Sequence, residues 1–118
     1  RQQPKKKPAA HYSKDLADWN RFRGHMLEFM HDYYVIICPV QASPAPLHTN
    51  AWKGGPGYSY TQTYSLTGWP STVVRCGTSS EGMPIGLQVV AGPWREDISL
   101  AVAKHLESAL SGWRPTSL

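Results

Sequence analysis

Apolar residues recur along this chain in two rhythms. Leu16, Trp19, Phe22, Met26, Met30 and Tyr33 follow one another at steps of three and four, the spacing of one helical face. Ser13-Lys14-Asp15 stands before them with capping chemistry, so a helix is expected to open there. Gly24 weakens that helix without ending it. The rhythm then changes. Tyr33-Tyr34-Val35-Ile36-Ile37-Cys38 has no polar alternation and ends at Pro39, which reads as a strand buried on both faces of a sheet. Two further apolar runs, Ser71 to Cys76 and Met83 to Ala91, flank Gly77-Thr78-Ser79-Ser80-Glu81-Gly82 and read as paired strands. Pro70 and Pro84 stand where a strand begins without losing a ladder donor. Gly77 and Gly82 are expected to supply backbone freedom at the two ends of the turn.

Helical spacing returns at the end. Ile98, Val102, Leu106, Ala109 and Leu110 make a stripe with Ala101 beside it, while Glu96 and Asp97 suit the positive end of the helix dipole. Gly112 and Pro115 stop this helix. Lys104 and Glu107 belong to its solvated face. In the middle, Tyr60, Thr63, Tyr64 and Thr67 share a helical face, and Gly68 ends a short helix. Gln41 to Gly57 is rich in Pro, Ala, Ser and Gly and reads as one long ordered loop anchored by Trp52. Helix, buried strand, paired strands and covering helix together predict an α/β class, a sheet covered by helices. Ligands of open α/β sheets bind at strand ends, which makes Cys38-Pro39-Val40 a candidate pocket rim.

At 118 residues the chain suffices for one modest domain. It has no starting Met, no secretory signal and no apolar run near the ~20 residues that span a bilayer, so it reads as soluble. The net charge of +4 is uneven, with four basic residues between Arg1 and Lys7. Residues 1–12 read as a basic flexible lead-in, and 13–118 as one α/β segment. A solvated connector is the plain reading of the lead-in; a nucleic-acid contact is the sharper one. No basic helix or base-stacking motif accompanies it. Cys38 and Cys76 are the only cysteines and make no disulfide framework, which favours a reducing, cytoplasmic setting. The five histidines lack close metal-ligand spacing, so neither metal nor cofactor is expected.

Four short motifs then stand in one order: Val35-Ile36-Ile37-Cys38-Pro39-Val40; Tyr60-Thr61; Leu66-Thr67-Gly68-Trp69-Pro70; and Met83-Pro84-Ile85-Gly86-Leu87-Gln88-Val89-Val90-Ala91-Gly92-Pro93-Trp94, followed by an acidic helix start. Over about residues 15–115 the chain resembles the C-terminal third of amidase-signature enzymes, in the branch of bacterial amidases and fatty-acid amide hydrolases. That resemblance implies a partial mixed sheet covered by helices, the C-terminal portion of an α/β/α sandwich. It also implies hydrolysis of amide bonds by a Ser nucleophile, a second Ser in a cis peptide, and a Lys acting as base through the bridging hydroxyl, with an oxyanion hole for the tetrahedral intermediate. Those parts belong to a Gly/Ser-rich region that this chain does not match.

The implied role is therefore a contributor of strands and of one pocket wall, with no catalytic residue of its own. Cys38, Pro39, Gly55, Tyr58 and Tyr60 would line the acyl or leaving-group channel, or the tyrosines would simply pack beneath the loop. Its partners would be the N-terminal part of the amidase fold and an amide substrate. A competing reading is a stand-alone, non-enzymatic interaction module of the same fold, whose open strand edges would invite self-association into a homo-oligomer. The segment Gly77–Gly82 resembles a nucleophile loop superficially. It joins two strands, however, and no upstream Lys shares the family's context.

Overall fold

The computed structural model describes residues 8–50, 59–110 and 112–115. The basic stretch 1–7, Trp52, Gly55 and Tyr58 lie outside the described residues. In chain order the elements are α1 (Ala9–Met30), β1 (Val35–Pro39), a 3-10 turn (His48–Asn50), α2 (Ser59–Thr67), β2 (Ser71–Thr78), β3 (Pro84–Ala91) and α3 (Glu96–Ala109). No described helix is long and apolar enough to cross a membrane.

Helix α1 begins at Ala9, a turn earlier than the capping chemistry at Ser13 suggested. Pro8 leads into it with φ −58°, a value that a helix start accepts, and the Ala9-Ala10 pair propagates readily. The Ser13 hydroxyl instead donates back to the Ala9 carbonyl at 3.3 Å. The apolar stripe is covered best towards its C-terminal end, where Met30 is buried and Met26 half-buried, and Leu16 is half-buried near its start. Tyr33 falls past the helix and stacks on Phe29 with ring centroids 4.8 Å apart. The Trp19 indole N–H donates to the Leu66 carbonyl at 2.7 Å. That oxygen belongs to the last turn of α2, where carbonyls lack a partner within the helix, so one bond ties α1 to α2.

Helix α2 closes as its glycine implied. Gly68 has φ +73°, and the N–H groups of Gly68 and Trp69 both donate to the Tyr64 carbonyl, at 2.9 and 3.2 Å. This is a left-handed helix cap. Trp69 then turns into the interior and is buried.

The three strands form an antiparallel sheet in the order β1-β3-β2. Val35 faces Ala91 across β1 and β3, and Ser71 faces Val90 across β2 and β3. The pairing slips by one residue between Arg75 and Gly77, leaving Cys76 as a bulge. Gly82 carries the hairpin turn at φ +82°, but Gly77 has no positive φ; the bulge, not a glycine conformation, leads β2 into the turn. Side chains alternate across the sheet. On one face Val90 packs with Met30, Trp69, Ile36 and Tyr64. On the other, Val89 and Val74 pack with Ala103, Val102, Leu106 and Val35.

Two further expectations are corrected by this packing. β1 is an edge strand rather than one buried on both faces, and its Ile37 is 48% exposed. The cause is the placement of α3, which lies over β2 and β3 and leaves the β1 side uncovered. The face that α3 buries is centred on Ser99 and Ala103, flanked by Val102 and Leu106, while Ala101 and Ala109 face solvent. The reason is polar. The Ser99 hydroxyl donates to the Val89 carbonyl at 3.0 Å and lies 2.6 Å from Thr72 Oγ1. Those bonds and two small side chains bring the helix backbone close to the sheet.

The chain forms a slab of 52 × 40 × 17 Å with a radius of gyration of 17.6 Å. A self-contained chain of this length is expected near 13–14 Å, roughly. The Gly68 cap gives a direct test. Gly68→Ala has open space for its methyl group and pays only for the left-handed backbone, about 1 kcal/mol. Gly77→Ala, equally unobstructed and without positive φ, should change stability by less than about 0.5 kcal/mol. Denaturant midpoints of the two variants check this.

Candidate functional site

The first faces of β1 and β3 bring Cys38 and Gln88 side by side. Gln88 is 2% exposed, so every polar atom of its carboxamide needs a partner. Its Nε2 donates to the Tyr60 carbonyl at 2.8 Å, the Pro39 carbonyl at 3.3 Å and Cys38 Sγ at 3.2 Å. Two hydrogens serve three acceptors, so the Pro39 and Cys38 contacts share one of them. Oε1 accepts from the Ser71 hydroxyl at 3.1 Å. Carbonyl oxygens only accept, which fixes the amide nitrogen on the β1 and α2 side. One side chain of β3 thus holds the end of β1, the start of α2 and the start of β2.

Cys38 Sγ also lies 3.7 Å from the Tyr64 hydroxyl. Burial, reinforced by the Cys38 sulfur, pushes the Tyr64 phenol up to about 12. Both cysteines are free thiols; Cys76 Sγ donates to the Ile85 carbonyl at 3.5 Å, well along the hairpin.

Beyond Cys38 the chain leaves the sheet and lines an open cleft of about 450 Å³ with Pro39, Val40, Pro44, Val73, Ile85 and Gly86. Gly86 is closely packed there, and contact rather than φ is what favours glycine. A Cβ at that position would stand 3.1 and 3.2 Å from Val40 and Val73 side-chain carbons. A second open cleft, of about 350 Å³, lies between the end of α2 and β2, with Tyr64, Trp69, Ser71 and Gln88 on its walls. Val73 borders both clefts.

Of the five residues expected at the pocket, Cys38, Pro39 and Tyr60 converge on one carboxamide; Gly55 and Tyr58 fall outside the described residues. Gln88, Gly86 and Val73 were missed as individual residues, although Gln88 and Gly86 lie inside a quoted motif. A lone Gln in an otherwise apolar strand is the signal that singles Gln88 out. The hairpin hydroxyls have a structural occupation. Ser79 Oγ accepts from the Glu81 and Met83 N–H groups at 3.3 and 3.2 Å, and the Ser79 hydroxyl holds the Glu81 carboxyl below its usual range.

With this geometry in view, the comparisons give the family. A family model described as Amidase matches residues 1–100, and the chain belongs to that family, the amidase-signature hydrolases. Human fatty-acid amide hydrolase 2 is 33% identical over 102 residues, which cover 86% of this chain and 19% of that protein. The 6-aminohexanoate-cyclic-dimer hydrolase of Paenarthrobacter ureafaciens is 46% identical over 52 residues, 44% of this chain and 10% of its own length. A solved structure of 6-aminohexanoate cyclic dimer hydrolase complexed with substrate has the same fold, with a TM-score of 0.76 at 24% identity. It is matched over 87% of this chain and 25% of its own. The matches therefore span about a tenth to a quarter of these relatives' own length.

The carboxamide hub predicts two measurements. Gln88→Leu leaves the Pro39 and Tyr60 carbonyls and the Ser71 hydroxyl without that partner, and should cost about 2–4 kcal/mol in chemical denaturation. The Tyr64 phenol has a folded value above its ordinary 10. Its contribution to stability is therefore complete below pH 10 and lost as pH rises from 10 through about 12. Tyr64→Phe should flatten the fall of stability across that window and remove the latest step of the tyrosinate absorbance titration.

Proposed function

We propose that this chain is the C-terminal segment of an amide-bond hydrolase, supplying sheet strands and one wall of the substrate pocket. The serine, cis-serine and lysine of the reaction would come from the N-terminal and central part of the amidase fold, in the same chain or a complementary one. The convergence of Cys38, Pro39 and Tyr60 on the buried Gln88 carboxamide carries this reading. It makes the end of β1 and the start of α2 one rigid rim beside the apolar cleft at Pro39. A rim held by buried hydrogen bonds positions a substrate chain better than a free loop does.

In this reading the rim does no bond-breaking. Pro39, with Gly55 and Tyr58 as the family resemblance implies, would shape the channel for the acyl or leaving group. Cys38 is a wall residue whose sulfur accepts the Gln88 N–H. Tyr60 contributes a fixed carbonyl through its backbone and a partly exposed ring at the start of α2. An amide substrate agrees with the family. Ser79 Oγ accepts from two N–H groups of the hairpin, which supports a turn-holding role for it in this reading.

An amidase assay of this chain, alone and mixed with an N-terminal amidase polypeptide carrying the Ser-Ser-Lys set, tests the proposal. The isolated chain should not exceed the blank, and the mixture should turn over. Hydrolysis by these 118 residues alone would overturn it. In the reconstituted enzyme, Tyr60→Ala should raise KM about tenfold with kcat changed less than about threefold, the pattern of lost uniform binding.

A further inference from the structure

We infer that Gly86 sets the depth of the cleft at Pro39, and that it is thereby a specificity-determining residue for the size of the apolar group an amide substrate places there. The inference rests on the proposed segment reading and names what that pocket wall selects.

A glycine inside a strand weakens it, and often marks a place where other atoms approach the backbone closely. Gly86 lies within the central strand β3, opposite Arg75 of β2. On its other side the Val40 N–H, one residue past the end of β1, donates to the Gly86 carbonyl at 3.5 Å. Its φ is not positive, so the backbone itself does not call for glycine. Two valines do. Val40 Cγ2 and Val73 Cγ1 stand 3.1 and 3.2 Å from the place a Cβ would take. One comes from beyond β1 and the other from β2, and both line the cleft. Part of the cleft wall is thus two valine side chains resting on bare backbone.

Gly86 and Gln88 stand two apart on β3 and share a face of the sheet. The valine pair therefore lies beside the hub that holds the Pro39 carbonyl, and Pro39 is another part of the same cleft. Two walls seated on one strand keep a fixed separation, which a size gauge requires.

The lining identifies the chemistry of the occupant. It carries no charged side chain, and its polar side chains are Gln41 and Ser43, on the loop after β1. A charged group would give up its hydration there without a partner. Val73 and Ile85 are 55% and 39% exposed, and an apolar occupant would take that surface out of water. The cleft, of about 450 Å³, falls within the roughly 300–1,000 Å³ of ordinary ligand pockets. A hydrocarbon portion of the substrate has this chemistry, and either the acyl or the amine side of an amide can carry it.

An alanine at position 86 would displace both valines by a few tenths of an ångström. Packed interiors yield towards free space, and the free space beside these valines is the cleft, which becomes shallower. Val40→Ala removes two methyl groups and deepens it.

The test uses the whole chain reconstituted with the N-terminal amidase polypeptide, and two substrate series. Acetamide to decanamide varies the acyl side; N-methylacetamide to N-decylacetamide varies the amine side. In one series Gly86→Ala should lower kcat/KM for the longest members at least about tenfold more than for the shortest, mainly through KM. That is the size of effect a lost methylene's space has in an apolar pocket. Val40→Ala should shift the preference to longer members, and the double variant should return it to within about threefold of the wild-type ratio. Partial misfolding lowers every member alike and leaves these ratios unchanged. The series that responds assigns the cleft to the acyl or the amine side. An equal change, or none, across both series overturns the inference and leaves the segment reading intact, because turnover has occurred. So does a length-dependent loss that Val40→Ala fails to reverse. If Gly86→Ala abolishes all turnover, Val40→Ala decides alone, and an unchanged length preference overturns the inference. A wild-type mixture without turnover overturns both readings.

Discussion

The carboxamide of Gln88 is the constraint on which the arrangement of the other parts depends. An amide that is 2% exposed is a liability unless all its capacity is used. Here it reaches β1, α2 and β2 at once. Because hydrogen bonds tolerate little error in distance or angle, satisfying four partners locks the register of three strands and the entry of α2 together. Apolar packing alone would accept several nearby arrangements of these elements. The buried amide selects among them.

A second polar clamp performs the same duty on the opposite face. Ser99 of α3 bonds the Val89 carbonyl and Thr72 Oγ1, so both faces of β3 carry one buried polar residue that fixes what lies over it. Gln88 and Val89 are neighbours, and alternation sends their side chains to opposite faces. The central strand thus distributes order outward: α1 and α2 are positioned through Gln88 and Val90, α3 through Val89 and its carbonyl. Trp19 extends the chain of contacts to α1 through the last turn of α2. Cys38 and Pro39 each lie one hydrogen bond from the centre of this arrangement.

Much of this was legible from local rules. The hairpin, α2 with its glycine stop, and α3 with its acidic start follow from short-range chemistry, and each stands where the pattern put it. What escaped depended on which faces find a partner. Val35-Ile36-Ile37 carries the composition of a central strand, yet it is an edge; an apolar run reports that a strand is meant to be covered, not by which chain. The stripe Ile98–Leu110 was read one position off its centre because apolar character was weighed and Ser99 was not. Its hydroxyl, paired with the β3 backbone, counts as core. Gln88 escaped for the same reason. Among candidate site residues, Pro39 and Tyr60 could be named from motif order, but their joint dependence on one side chain, 49 and 28 residues further along the chain, could not, since the link is tertiary.

The uncovered faces and the two small cores have one physical explanation. Two clusters of three buried apolar residues each bury little surface against the entropy of ordering about a hundred residues. Domains of this size stay folded by covering both sides of their sheet. Here Ile37, Val73, Ile85 and Leu27 remain exposed on strands and helix alike, and the chain spreads to a radius of gyration of 17.6 Å. Natural edge strands that stand alone are shortened or charged; the outer strand from Ser71 to Arg75 is neither until its last residue. Such a surface is costly in water and inexpensive inside a larger sheet. Val73 on β2 and Pro39 on β1 also line the open clefts, so the cover that would stabilise this sheet would meet the proposed pocket wall as well.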